Sequence, residues 1–579
     1  MVFLGVSESL TGRRWIGPTA EEDRLAQAVA REAGLDHAVA LTLVRRGVTP
    51  AEAAGYLDPK LRDLLPDPLT LRDMDAAAER FLTAVLGGER IAIFADYDVD
   101  GAASAALLLT WLRHMGRQAT LHVPDRLTEG YGPNEAAMVR LAAAHDLILC
   151  VDCGTVAHGP IAAAQGCDVI VLDHHLGGES LPPCVAVVNP NRQDESRDLG
   201  HLCAAAVVFL MLVEVNRRLR AFGRQGPDLM AMLDLVALAT VADVAPLRGV
   251  NRALVRQGLT VMARRERIGL AALADVAGLS AAPNVHALGY VLGPRVNAGG
   301  RVGQADLGAR LLATADPAEA QALAERLDRH NAERRAIEAR VQAEAMAQAQ
   351  TRLPGPLAWA AGEGWHPGVV GIVAARLMGA FAVPSVVIAL DGETGKGSAR
   401  SVPGVDLGAA VHRLVEEGLL RRGGGHPMAA GLEVERRRIE PAMERLGELL
   451  ARQGAQTQGP RDLVLDGLLM PRAASLPLVE TLERAGPFGA SAPSPRFGFC
   501  DLAVAHARVV GNGHLKIALD DGMGGRIDAI AFGAADGPLS RLRPGAGRFH
   551  VAGRLEINTW QGRRSVQLML DDAAPAGHR

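Results

Sequence analysis

The sequence predicts an α/β multidomain protein: a parallel-sheet domain joined by a long helix to a smaller α/β domain, with a C-terminal all-β barrel. Three observations carry this. Between residues 91 and 190, five short apolar runs alternate with Ala-rich helical segments. From Asp316 to about Arg352 the chain contains no Gly and, apart from Pro317, no Pro. Beyond residue 460, short strands of alternating polarity are separated by Gly-containing turns.

A chain of 579 residues is too long for one core and implies three or four domains. With 49% apolar and 22% charged residues it reads as a soluble globular protein. No apolar run reaches the ~18 residues that span a bilayer. The start, MVFLGVSESLTGRRW, lacks the apolar core and cleavage site of a signal peptide, so a cytoplasmic location and no membrane partner are expected. Cys150 and Cys153 have CxxC-like spacing, but no second pair completes a zinc site, and Cys150 lies inside an apolar run. A net charge of −4 gives no support for a generic basic nucleic-acid binder. Aromatic residues, at 3%, leave few rings for base stacking.

Residues 1–75 are helical in pattern, with turn signals at Pro50, Pro59, Pro66 and Pro68, and read as an N-terminal extension packed on the domain after it. Residues 76–315 form the first α/β domain. Its runs IAIFA, ATLHVP, LILCVD, DVIVLDHH and VAVVNP are apolar on both faces, as strands of a parallel sheet covered by helices must be. Ligands bind such sheets at the carboxyl ends of the strands. Residues 316–352 form the long helix, with Asp316 at the N-cap and Pro317 at the first helical position. At 1.5 Å per residue it spans roughly 50 Å, enough to bridge two domains. Residues 353–452 form the second α/β domain, and QGAQTQGP (453–460) is a linker. Residues 461–573 read as a five-stranded barrel of the OB type, leaving 574–579 as a tail.

Four apolar runs of the first domain end in acidic or imidazole groups. Asp96, Asp98 and Asp100 alternate in ADYDVDG; Asp152 stands in VDCG; Asp173, His174 and His175 stand in LDHH; Asp243 ends LATVAD. In a parallel sheet all four would lie along one edge. A single strand-end Asp is ordinarily a helix N-cap. Three alternating aspartates suggest a calcium loop, but the closing Glu is missing. Five carboxylates and one or two imidazoles at one edge repel unless cations neutralise them. Oxygen donors with some histidine suit Mn²⁺ or Mg²⁺, and two such ions ~3.5–4 Å apart can clamp a phosphodiester.

The order DxDxDG, DCG, DHH and a later Asp resembles the DHH phosphoesterase superfamily, and the resemblance extends through HVPDRLTEGYG, VVNPNR, LATVADVAPLRGVNRALVRQGL and LGPRVNAGGRVG. Past the long helix, GEGWHPGVVGIVAARL, GKGSARSVPG and GGGHPMAAG resemble the DHHA1 domain, and the last unit resembles the OB domain of the family's bacterial exonuclease branch. The resemblance implies a two-domain core with the active site in the groove between. It implies 5′→3′ degradation of single-stranded DNA to mononucleotides in repair and recombination, with two Mn²⁺ or Mg²⁺ ions.

Carried over by motif, Asp98, Asp100, Asp152, His174 and Asp243 are the expected metal ligands, with Asp152 bridging. Asp96 binds metal or orients a neighbour, and His175 faces a metal or the scissile phosphate. Asp173 is expected to fix an imidazole tautomer as a supporting carboxylate. Arg126, Ser398 and Arg400 match positions that hold the 5′-terminal phosphate; Arg295, Asn297, Arg301 and His426, in Gly-rich turns, are expected to meet DNA. Tyr131 and Trp365 are candidate stacking rings. Positive potential is expected to be confined to the groove and the barrel. A 5′ end of single-stranded DNA is the expected partner, and the family implies a single-strand-binding protein and a RecQ-type helicase; a monomer is expected. Smaller relatives hydrolyse short oligoribonucleotides, cyclic dinucleotides or pyrophosphate, substrates that give no evident use for the extra barrel.

Overall fold

In the computed structural model, which describes residues 2–125, 128–455 and 461–577, the chain begins with a short strand β1 (Arg13–Ile16), followed by helices. The first α/β domain comes next, with strands β2 (Ile91–Ala95), β3 (Ala119–His122), β4 (Leu147–Val151), β5 (Asp168–Leu172) and β6 (Ala186–Val188). They form one sheet in the order β3-β2-β4-β5-β6, and every pairing is parallel. Period-2 alternation explains the doubly apolar runs. Ile91, Ile93 and Ala95 enter the main core on one face, while Ala92 and Phe94 enter a second core on the other. With both faces covered, only the edge at the strand ends is left for polar groups.

Helix Pro317–Thr351 is 35 residues long, and the Asp316 side chain accepts a hydrogen bond from Ala318 N at 2.9 Å. Its first half packs on the helices Ile268–Val276 and Gly293–Val302 of the first domain. Its second half packs on the second domain, against β7 (Ala358–Glu363) and the helix Pro367–Phe381. That domain also contains β8 (Ser385–Asp391), β9 (Thr394–Arg400), β10 (Arg422–His426) and β11 (Ala429–Glu435), in sheet order β10-β11-β9-β8-β7.

The C-terminal unit comprises β12 (Arg461–Val464), β13 (Gly467–Leu468), β14 (Phe497–Val510), β15 (His514–Asp520), β16 (Arg526–Ala531), β17 (Arg548–Trp560) and β18 (Arg563–Pro575). The order β14-β15-β16-β18-β17 closes through a β14–β17 pairing into a five-stranded barrel of the OB type. The N-terminal segment is not wholly helical. β1 pairs in parallel with β12, and Trp15, fully buried, donates from Nε1 to Asp572 Oδ2 at 2.9 Å. Ala38 and Val39 complete the barrel's own core. The extension therefore packs on the last domain as well as on the first α/β domain. Among the described residues, no helix is long and apolar enough to cross a membrane.

Candidate metal centre and groove

The acidic edge is built by the turns that leave β2, β4 and β5. After β2, Asp98 caps the helix Val99–His114, its Oδ1 accepting from Asp100 N (2.9 Å) and Gly101 N (3.2 Å). Asp100 sits in the first turn, 1% exposed, and reaches the start of a second helix, Ala204–Ala221. Its two oxygens accept from Ala204 N at 2.6 Å and Ala205 N at 2.8 Å. Two helix N-termini thus offset two of the charges. Gly101 is required for space: a Cβ there would lie 2.4 Å from the carbonyl oxygen of Asp96.

Asp152 follows β4 with φ of +60°, a left-handed conformation that Asp tolerates better than most residues. It is 1% exposed and its Oδ1 accepts no hydrogen bond. After β5, Asp173 is buried and saturated. Oδ2 accepts from Thr155 N (3.1 Å) and Thr155 Oγ1 (2.7 Å); Oδ1 accepts from His174 N (2.7 Å) and lies 2.8 Å from His175 Nδ1. Asp173 therefore orients His175, not His174. Tyr131, exposed at the rim, donates to Asp152 O at 3.3 Å and touches the His175 ring.

Three sets of donor atoms each fall within 4.8 Å: Asp96, Asp98 and Asp152; Asp100, His174 and Asp243; and Asp152, His174 and His175. The first two sets share no residue, and the third joins them. His174 Nε2 lies 3.3 Å from Asp152 Oδ1 and 3.7 Å from both Asp100 Oδ2 and Asp243 Oδ2, with no hydrogen bond of its own. Buried donor atoms without hydrogen-bond partners, converging from three loops, fit divalent cations.

The electrostatics say the same. Burial, then repulsion from Asp98, Asp100 and Asp96, pushes the Asp152 carboxyl well above its ordinary range. Burial raises Asp100 as well, and burial with repulsion from Asp100 and Asp98 pushes Asp243 up to about 8. Asp173 goes the other way: burial opposes its charge, but His175 and Thr155 hold it below the usual range. Burial lowers His175, yet Asp173 outweighs that and raises it to about 9.

Several expectations need correction. Asp243 does not end a strand; it is the C-cap of helix Leu233–Ala242 and enters the cluster from outside the sheet. Arg295, Asn297 and Arg301 lie on helix Gly293–Val302, not in a turn. Its glycines serve close packing, since a Cβ on Gly300 would meet Tyr97 O at 2.8 Å. Asn297 Oδ1 accepts from Val99 N at 3.0 Å and so clamps the DxDxDG turn. Arg295 is committed to Asp328 Oδ1 on the long helix at 2.8 Å. Arg301 donates to Gly368 O at 2.9 Å, tying the first domain to the second.

Ser398 and Arg400 lie on β9 and His426 ends β10, again in strands. Register places His426, Ala429 and Arg400 abreast across the sheet, and Arg400 Nη1 donates to Ser398 Oγ at 3.1 Å. Trp365 is no stacking platform: it is buried and donates to Glu344 Oε2 at 2.7 Å. Arg126 lies outside the described residues. Sequence reasoning missed the asparagines that hold the His-His turn. Asn191 donates to His174 O (2.6 Å), and Asn189 to His175 O (2.8 Å). Their signal was their position just past β6, on the same edge.

Family models match three segments: the N-terminal domain of the DHH family over 90–240, the DHHA1 domain over 354–452, and the RecJ OB domain over 465–572. The chain is 37% identical over 543 residues to the single-stranded-DNA-specific exonuclease RecJ of Dickeya dadantii, covering 90% of this chain and 93% of that protein. The crystal structure of Thermus thermophilus RecJ with Mn²⁺ superposes with a TM-score of 0.81 at 31% identity, covering 96% of this chain and 79% of that one. The Mg²⁺ complex of the same protein gives 0.74 at 29%, covering 97% and 78%.

Proposed function

Because the chain belongs to the RecJ family, we propose that it is a single-stranded-DNA-specific 5′→3′ exonuclease, releasing 5′-mononucleotides in DNA repair and recombination. The observation that carries this reading is the pair of separate donor sets joined through Asp152 and His174. Asp96, Asp98 and Asp152 would hold one divalent ion and Asp100, His174 and Asp243 the other, with Asp152 shared between them. When bound, two Mn²⁺ or Mg²⁺ ions lower the pKa of a water and stabilise charge developing on the phosphate.

The chain's own groups position the strand. His175, its Nδ1 held by Asp173 Oδ1, turns its other ring nitrogen toward an oxygen of the scissile phosphate. Ser398 and Arg400, with Arg126, hold the 5′-terminal phosphate, and His426 in the same row meets the next. Arg301 keeps the two walls of the groove together, and Asn297 keeps the metal loop in register. Arg295 is bound to the long helix, so its contribution to DNA is indirect. We place the enzyme in the cytoplasm, acting as a monomer with a single-strand-binding protein and a RecQ-type helicase. The closed barrel favours a polymeric substrate over a dinucleotide.

The test compares 5′-labelled single strands, the matching duplex and small phosphoesters, each with Mn²⁺. Labelled mononucleotide from the single strand alone is expected. Turnover confined to small phosphoesters overturns the reading.

A further inference from the structure

A cavity of about 800 Å³, lined by none of the metal ligands, lies where three parts of the chain meet. The N-terminal extension supplies Arg45, Arg46 and Tyr56; the segment after Asp243 supplies Arg248 and Arg252; the barrel supplies Arg496. Arg252 is 3% exposed. Its Nη2 donates to the carbonyl oxygens of Tyr56 (3.2 Å), Ala485 (3.0 Å) and Gly486 (2.8 Å), and its guanidinium lies 3.7 Å from the centre of the Tyr56 ring. Its Nη1 is buried and has no hydrogen-bond partner, and no carboxylate pairs with it among the described residues. Burial, Arg256 and Arg46 all disfavour its charge. The Nε atoms of Arg45 and Arg46 are likewise buried without partners. Both side chains are nonetheless paired: Arg45 Nη1 with Glu22 Oε2 at 2.9 Å and Arg46 Nη1 with Asp466 Oδ1 at 2.8 Å.

A buried guanidinium without an anion is costly, and Arg252 at this cavity is the one an anionic ligand would complete. The wall also carries apolar side chains, Val48, Leu247 and Val464 among them, beside the carboxylates Glu52, Asp58, Asp63 and Asp466. A charged head and an apolar or aromatic body are therefore both accommodated, within the ~300–1,000 Å³ range of small-molecule sites. We propose that this cavity binds a nucleoside monophosphate, its phosphate against Arg252 and Arg248 and its base on the apolar side chains. The phosphate-monoester chemistry comes from the cavity; the choice of a nucleotide rests on the proposed release of 5′-mononucleotides. Because extension, catalytic domain and barrel all line the cavity, occupancy would fasten the barrel to the catalytic domain.

The test is isothermal titration of the intact chain in EDTA, which strips the metal centre, with dAMP, inorganic phosphate and deoxyadenosine. One dAMP site is expected, with phosphate at least tenfold weaker and deoxyadenosine silent. Arg248→Glu, at an exposed position, should weaken dAMP at least tenfold, while Ser398→Ala leaves it unchanged. Arg252→Met, if it folds by circular dichroism, should lose the site. Absence of dAMP binding, indifference to Arg248→Glu, or loss on Ser398→Ala overturns the proposal. The single-strand nuclease assay on the same preparation separates the two readings. Cleavage without dAMP binding refutes this site alone; dAMP binding without single-strand cleavage refutes the exonuclease reading.

Discussion

Replacing Asp152 by Asn should make the metal-free protein more stable and the enzyme inactive. Asn is isosteric, neutral, and tolerates the left-handed backbone at φ +60°. The donor oxygens of Asp96, Asp98 and Asp152 lie within 4.8 Å of one another. At that separation and an effective dielectric near 20, two carboxylates repel by about 3.5 kcal/mol per pair. Asp152 escapes part of this by binding a proton, so the net gain at pH 8 in EDTA is about 2–4 kcal/mol. The folded-state pKa is raised, so the sign is fixed. Near pH 4 the folded carboxyl is already protonated and Asn gains nothing. As pH rises, the unfolded chain ionises first and wild type loses stability that the variant keeps. Calorimetry of the intact chain at pH 4.5 and 8 in EDTA reads this, beside nuclease activity with Mn²⁺, which should fall at least about 100-fold. A variant less stable than wild type at pH 8, or equally stabilised at both pH values, would refute the repulsion argument.

Asp173→Asn removes the carboxylate that holds His175 at about 9, so the imidazole should titrate well below that in metal-free protein, read by histidine proton NMR. Stability that wild type holds below pH 6.5 and loses through pH 9 should lose that dependence in the variant. Gly101→Ala places a Cβ 2.4 Å from Asp96 O, displacing the loop without touching a ligand side chain. Mn²⁺ affinity should fall about 10–100-fold by titration calorimetry, with circular dichroism unchanged. Trp15→Ala empties a fully buried site between β1 and the barrel and should cost about 3–5 kcal/mol. Hydrogen exchange should show the loss in β17 and β18 and spare β2, β4 and β5.

The parallel sheet was legible because its runs are apolar on both faces, and a helix free of Gly and nearly free of Pro has no competing reading. The acidic cluster was legible because several like charges at the ends of apolar runs call for a common neutralising partner. What failed was location where one residue type serves two needs. Glycine supplies both conformational freedom and space, and GGRVG reads as a turn although Gly300 lets a helix approach the loop at Tyr97. The motif identifies Asp243, but an apolar run before an Asp fits a helix end as well as a strand end. The β1–β12 pairing joins segments separated by 448 positions, as in the Arg14–Asp462 contact, and no local pattern encodes such a distance. Trp365 carries no sign in the sequence that its indole N–H is taken by Glu344.

The cluster also explains why Asp152 and not its neighbours should bridge. Asp98 and Asp100 each accept two backbone N–H groups at helix N-termini, which stabilise their charge before any ion arrives. Asp173 is fully engaged by Thr155 and the His174–His175 turn. Asp152 combines burial, a left-handed backbone and a donor atom with no hydrogen bond, between the two triads. Its charge is therefore less compensated than those of Asp98, Asp100 and Asp173. A dication on either side offsets that charge most strongly at Asp152, so loss of this carboxylate should disable both sites together. Asp243→Asn should disable one. Titration of Mn²⁺ into the two variants, followed by electron paramagnetic resonance, should show no tight ion in Asp152→Asn and a single tight ion in Asp243→Asn. Equal stoichiometry in both would remove the bridging role from Asp152.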